Sequence, residues 1–239
     1  VFRRRRRGDD ASTPADQGPD ESAAADGEPA PDADSAGDTD RTGGPYDASE
    51  VDMQEARSGR IDLGGLLVRP APGMKLQLQL DKRTGNGTSV LLSTDEAAVQ
   101  LVAVAAPRSS GMWEQTRLQI GEDAKGRGGR SEEANGPFGT EMRVVVPAQS
   151  QEGKQVFQPS RVSGIDGPRW MLRATFLGKA TTDASVFQQL VDIVRQTVVV
   201  RGEAPMAPGD VITLKPPEGG QGEAETSQAG PSEDGPLQA

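Results

Sequence analysis

The sequence predicts an α+β domain, a mainly antiparallel β-sheet flanked by two principal helices, with disordered acidic arms at both ends. Three observations carry that prediction. Met74-Lys-Leu76-Gln-Leu78-Gln-Leu80 alternates strictly, which puts four apolar side chains on one face of a half-buried strand and Lys75, Gln77 and Gln79 on the other. Turn clusters at hairpin spacing, Gly85-Asn86-Gly87 and Asp166-Gly167-Pro168, join neighbouring strands. Two stretches, opening near Gly111 and near Thr182, carry apolar residues at helical spacing instead.

Composition decides how much of the chain can pack. Only 33% of its 239 residues are hydrophobic and 3% aromatic. Residues 9–40 hold eleven Asp or Glu and no Lys or Arg among many Ala, Pro, Gly and Ser. Such a segment cannot bury enough apolar area to offset an ordering cost of roughly 1–2 kcal/mol per residue. The expected organisation is therefore a disordered arm over 1–45 (an arginine block, then an acidic tether), one α+β domain over 46–217, and a disordered acidic tail over 218–239. Within the tether, Asp32-Ala-Asp34-Ser-Ala-Gly37 starts like a calcium loop, but Ala36 and Gly43 stand where ligands are needed, so no metal site is assigned.

Taken in order, Tyr46–Glu55 reads as a short helix, and Ile61–Val68 as a first strand interrupted by Gly64-Gly65. Pro70–Gly73 turns the chain into the alternating strand 74–80, which a hairpin joins to Ser89–Leu92. Val99–Ala105 is an apolar run of the kind found in central strands. The first helix opens at Gly111-Met112-Trp113-Glu114, with Met112, Thr116 and Ile120 four apart and Trp113 and Leu118 nearby, and frays into a loop at Gly126–Gly129. Glu141–Val146 is a strand, and Gln155-Val156-Phe157 leads into the strand before Asp166. Trp170–Leu177 is largely apolar on both faces, which predicts cover on both sides. Thr182 or Asp183 caps the second helix, whose stripe is Phe187, Leu190, Val191, Val194 and Val198, with Val198–Val200 alternatively extended. Val211–Leu214 is read as an edge strand. The segment 162–201 holds Trp170, Phe176 and Phe187, three of eight aromatics, and is the expected centre of the core.

Four short motifs follow one another in this frame: Pro107-Arg108-Ser-Ser-Gly111-Met112-Trp113, Gly136-Pro137-Phe138-Gly139-Thr140-Glu141, Asp166-Gly167-Pro168-Arg169-Trp170, and Val200-Arg201-Gly202-Glu-Ala-Pro205-Met206-Ala-Pro208. In these, from about Tyr46 to Pro217, the chain resembles an actinobacterial family of unknown function, the domain-of-unknown-function 3710 family. That resemblance implies no established activity. The layout is also similar, at the level of fold alone, to PsbP-like sandwiches, which mostly bind other proteins; fold analogy transfers no residue.

Cysteine and histidine are both absent. That excludes disulfides, thiolate and histidine metal ligation, and Ser-His-Asp or Cys-His catalysis. No phosphate-binding glycine loop stands between a strand and a helix, so no nucleotide cofactor is expected, nor any other cofactor. The acidic pairs Asp95-Glu96, Glu122-Asp123 and Glu132-Glu133 are adjacent in sequence and point apart, as solvated residues do. Candidate binding residues are Arg169, Trp170 and Arg173: arginines able to take a carboxylate bidentately beside a tryptophan. The plainer reading makes Trp170 core and pairs or snorkels both arginines. The block Arg3, Arg4, Arg5, Arg6, Arg7 fits anionic lipid or nucleic-acid phosphate, but acids follow immediately, and Gly8-Asp9-Asp10 stands where a signal peptide needs an apolar run. The expected function is a non-catalytic cytoplasmic module that binds protein. The alternatives are a peripheral membrane or nucleic-acid adaptor acting through the arginine block, and a histidine-free enzyme using carboxylate, Lys or Ser chemistry.

Overall fold

The structure is a computed structural model that describes residues 41–108, 111–149, 153–217 and 223–225, all within one compact unit, Asp34–Ala239. In chain order it runs β1 (Tyr46–Asp47), a 3-10 turn (Ala48–Glu50), α1 (Met53–Arg57), β2 (Ile61–Asp62), β3 (Leu66–Val68), β4 (Lys75–Leu80), β5 (Gly87–Ser93), β6 (Ala97–Ala105), α2 (Met112–Gly126), β7 (Arg130–Gly136), β8 (Gly139–Gln149), β9 (Gln155–Gly167), β10 (Trp170–Gly178), a second 3-10 turn (Lys179–Thr181), α3 (Ala184–Arg195), β11 (Val198–Val199) and β12 (Glu223–Glu225). Eight strands form one sheet in the order β12-β4-β5-β6-β10-β9-β8-β7. Every joint in it is antiparallel except that of β12 with β4. The mainly antiparallel α+β class is thus the observed one.

Alternation along the strands sets the layers. In β6, Ala97, Val99, Leu101, Ala103 and Ala105 are buried, while Ala98, Gln100, Val102 and Val104 are only half-buried. Leu76, Leu78, Val90, Leu92, Trp170, Leu172, Ala174 and Phe176 join the first set in the main core, closed from above by α3 and a four-stranded sheet of order β1-β11-β3-β2. Phe176 and Phe187 meet edge to face there, with ring centroids 4.8 Å apart. A smaller cluster of Ala56, Leu67 and Val198 packs α1 onto the back of the small sheet. On the opposite face of the large sheet, α2 buries Trp113 and Ala124 against Met142, Val144, Val162 and Met171.

The helix starts are built differently. Asp183 caps α3 by accepting from Ser185 N and Val186 N; Thr182 does not take that place. Helix α2 opens at Gly111, whose φ of 102° few other residues adopt and which has no side chain to cap with. The cap comes instead from Asp166 on β9, which accepts from Trp113 N at 3.2 Å and Gly111 N at 3.3 Å. Burial holds the Asp166 carboxyl above its ordinary pKa, outweighing those two N–H donors and the charge of Arg117. Trp113 completes the junction: its indole N–H donates to Thr140 O at 2.7 Å, and its ring lies against the backbone of Gly164.

Several expectations are corrected. Ile61–Val68 is not one interrupted strand but a tight hairpin, Ile61 opposite Val68 and Asp62 opposite Leu67, with Gly64-Gly65 at the turn. Strand β7 follows the Gly126–Gly129 loop in a stretch to which the sequence assigned no element; Ser-Glu-Glu-Ala-Asn carries no apolar alternation, since an edge strand with exposed side chains needs none. Leu118 points to solvent, 66% exposed. Val198–Val199 is extended. Val211–Leu214 makes no edge strand: it crosses between the sheets, touching β6 at Val104 and bridging Gly64 and Gly87 at Leu214, and buries Ile212 and Leu214. Strand β12 falls inside the expected tail. The arm 1–40 and most of 218–239 lie outside the described residues. Among the described residues no helix is long and apolar enough to cross a membrane.

A methyl group placed on Gly164 would fall 2.1 Å from the Trp113 ring, with no flexible end to give way. Gly164→Ala is expected to destabilise the protein by about 2–3 kcal/mol or more. A fall in the urea midpoint with an unchanged denaturant slope is the check.

Candidate functional site

The turn that carries the first candidate is dictated locally. Pro168 fixes φ near −65°, and Arg169 takes φ 59°, the one non-glycine residue with positive φ among those described. Its carbonyl accepts from Ala106 N at 2.9 Å, which ties the β9–β10 hairpin to the end of β6. Arg169 is half-buried.

Trp170, next in the chain, faces the main core and has 0% of its surface exposed. Its indole N–H donates to Asp47 Oδ2 at 2.7 Å, while Asp47 Oδ1 accepts from the Ser49 backbone and hydroxyl. Arg41 lies 5.5 Å above the ring and holds Glu50 with two hydrogen bonds, 2.8 and 3.1 Å. Trp170 therefore clasps the N-terminal segment onto the core and presents nothing to a partner. Burial raises the Asp47 pKa, but the Ser49 bonds, the indole and Arg41 together outweigh it and leave the carboxyl below its ordinary value. Glu50 is also held low, chiefly by Arg41.

Arg173 points the other way. On β10 it stands opposite Val102 and Gly164, on the face shared with Met171 and Thr175. Helix α2 covers that face over β7, β8 and β9, and its cluster reaches Met171 at the near end of β10 and Val104 at the end of β6; Met171 is the last β10 residue in that cluster. Beyond it Arg173, Thr175 and Leu177 are half-buried, as are Gln77, Gln79, Leu91, Gln100 and Val102 across β4–β6. The expectation of cover on both sides of β10 thus holds for one face and fails for most of the other. This face mixes a hydrogen-bonded polar patch with Leu91, Val102 and Leu177, and β12 brings Glu223 and Glu225 into register with Gln77 and Gln79 at its far edge. Gln100 donates to Gln79 Oε1 at 2.7 Å and to Ser89 Oγ at 3.1 Å, and Ser89 donates to Gln79 Oε1 at 2.7 Å. Its other cation, Lys75, is exposed at the β4 end, 3.9 Å from Asp95. Arg173 has no hydrogen bond or ion pair with any described residue, and burial alone pulls its guanidinium below the ordinary pKa. The three candidates are accordingly not brought together: Trp170 and Arg173 lie on opposite faces, with Arg169 at the turn. Arg3 to Arg7 lie outside the described residues.

The buried carboxylate of the domain is already engaged. Glu141, 0% exposed, receives Arg161 Nε and Nη2 at 3.0 Å each and Arg143 Nε at 3.3 Å. Arg161 in turn stacks 3.4 Å from the Phe187 ring centre. Among the described residues no group of three or more His, Cys, Asp or Glu is placed to hold a metal ion.

The sequence profile of a family described as a protein of unknown function (DUF3710) matches residues 44–222. The chain belongs to that family. No curated protein matches it. The motifs that suggested the family prove to be joints. Trp113 meets Thr140 and Asp166 of two other motifs, and Arg195 reaches Pro137 O at 3.0 Å beside the Phe138 ring. Sequence reasoning missed the Glu141–Arg161 pair and the glutamine–serine network. The only signal for the latter was the polar phase of β4.

Asp47 has a folded pKa below its unfolded value, so its contribution is complete above about pH 4 and is lost as pH falls through the lowered value. Trp170→Phe removes the indole donor and part of the ring. It is expected to cost about 2–3 kcal/mol at pH 7. Urea titrations should show the gap to the unaltered protein narrowing below about pH 4.

Proposed function

We propose that the protein is a non-catalytic cytoplasmic interaction module that grips an acidic segment of a partner protein across the open face of its large sheet, with Arg173 as the anchor. The observation that carries this is the half-buried guanidinium, which has no hydrogen bond or ion pair with any described residue. A charge withdrawn from water without a counter-ion costs free energy, and a docked carboxylate recovers it through two parallel hydrogen bonds. The surrounding glutamines, serine and threonine bring donors and acceptors; the nearest acids by register, Glu223 and Glu225 of β12, stand beside Gln77 and Gln79 at the far edge of the sheet, so an acidic side chain is best received at Arg173. The absence of histidine and cysteine removes the commonest nucleophile and base systems, and the most deeply buried acid, Glu141, is committed to Arg161.

Function and stability are then opposed at one position. Arg173→Met removes the desolvated charge while keeping the stem, and is expected to leave the unfolding free energy unchanged or raise it by about 1 kcal/mol, read as an equal or higher urea midpoint. A native pull-down with the full chain should recover a protein near stoichiometrically, lose it with Arg173→Met, and keep it weakly with Arg173→Lys, which retains the charge but not the fork. The same partner held equally by Arg173→Met would overturn the proposal. So would a turnover that co-purifies with the chain and disappears on a single substitution.

A further inference from the structure

Strands β8 and β9 continue past both of their neighbours. The last β7 pair is Arg130 with Val145, the last β10 pair is Phe176 with Arg161, and yet Val146–Gln149 still pairs with Gln158–Gln155. The result is a two-stranded ribbon, an arrangement only marginally stable in water without a third strand. Prolines set where the flanking strands stop. A proline fits an antiparallel ladder only with its nitrogen turned away from the paired strand, and Pro147 stands opposite Phe157 while Pro159 stands opposite Val145. Each turns a nitrogen without hydrogen to the outside, just past the end of β7 and of β10.

The same parity turns the N–H and C=O groups of Gln155 and Phe157 to the outside of β9. That edge is bare. The terminal strand β7 carries Arg130, Glu132 and Glu133, β4 is covered by β12, and the β8 side of the ribbon is blocked by Pro147. Gln155-Val156-Phe157-Gln158 has no charge and no proline in a chain that is 26% charged. Phe157 is 66% exposed, and Val156 is 41% exposed. An unguarded neutral edge of this kind is a template for strand addition.

We propose that this edge pairs antiparallel with the same edge of a second copy of the chain, on a two-fold axis through Val156, so that Gln155 of each copy stands opposite Phe157 of the other. Three features select a second copy. An antiparallel pair of identical strands is two-fold symmetric by construction, and the centre at Val156 matches all the outward groups of Gln155 and Phe157 with each other. Neutrality is what a self-contact requires, because any charge at the axis meets its like. The pairing also converts two marginal ribbons into one four-stranded sheet.

The test is sedimentation equilibrium on the full chain. The unaltered protein should show a reversible dimer, and Phe157→Lys, which adds the charge natural edges use, should raise the dimer dissociation constant at least ~10-fold with unchanged circular dichroism. Because the chain has no cysteine, Val156→Cys introduces a single thiol on the proposed axis. Under mild oxidation it should form a covalent dimer, whereas Leu118→Cys, placed where the native side chain is also 66% exposed, should not. A monomer at every concentration, a dimer indifferent to Phe157→Lys, or equal cross-linking at 118 and 156 would each overturn the proposal.

Discussion

Trp113 is the constraint on which one half of the domain depends. It is a single residue with three attachments to two neighbouring strands: backbone N–H to Asp166 and ring against Gly164 on β9, indole N–H to Thr140 O on β8. Remove the ring and α2 loses its main apolar contact. Remove Asp166 and α2 loses its cap, since Gly111 brings none. The fit admits no methyl group at Gly164, so the approach of α2 to β9 is fixed by the absence of a side chain.

Two arginines on neighbouring strands show how the same residue type serves opposite ends. Arg161 is held by buried Glu141 and stacked on Phe187. Its charge is answered inside the fold, and what it contributes is the position of α3 against β9. Arg173 sits at the same depth of sheet on the other face, and the positions beside it are Val102 and Gly164. A buried ion pair of the first kind is strongly destabilising to break but gives little net stability over an apolar pair. An unanswered arginine of the second kind is a standing cost, and that cost is the ground for the binding role proposed for it.

Much of this was legible in the residues. The strict alternation of β4, the Gly85–Gly87 turn and the Asp166–Pro168 hairpin gave strand positions that the structure keeps, because a period of two has one solution once one face is apolar. The stripe of α3 was legible for the same reason at helical period. Strand β7 was not, because a strand held only by its ladder and exposed on its side chains leaves no hydrophobic period. The Gly64-Gly65 turn was ambiguous, since two glycines serve equally as a break in a strand and as the turn of a hairpin. Arg173 was picked out as an arginine in an apolar setting, but no local pattern could tell whether α2 would reach it. Trp170 and Arg173 were grouped by adjacency, which in a strand places an odd-numbered separation on opposite faces.

Whether a sheet face is open is a matter of lengths. Helix α2 has 15 residues and so spans about 22 Å. Eight strands at roughly 4.8 Å spacing span well over 30 Å, which one such helix cannot cover. On the other face the deficit is met by α3 and the small sheet together. On the α2 face no described element plays that part over β4, β5 and most of β6, where Gln77, Gln79, Ser89 and Gln100 stand among Leu91 and Val102. A face left merely unfinished would be made safe by charge all over. This one carries a desolvated guanidinium beside the helix, an exposed lysine at the β4 end and, at its far edge, Glu223 and Glu225 in register with Gln77 and Gln79, and the proposed docking of a carboxylate therefore belongs at the Arg173 end. The ribbon edge follows the same logic in the backbone: prolines and charges close the other edges, and the stretch they leave unguarded is the one with the donors and acceptors to receive a strand.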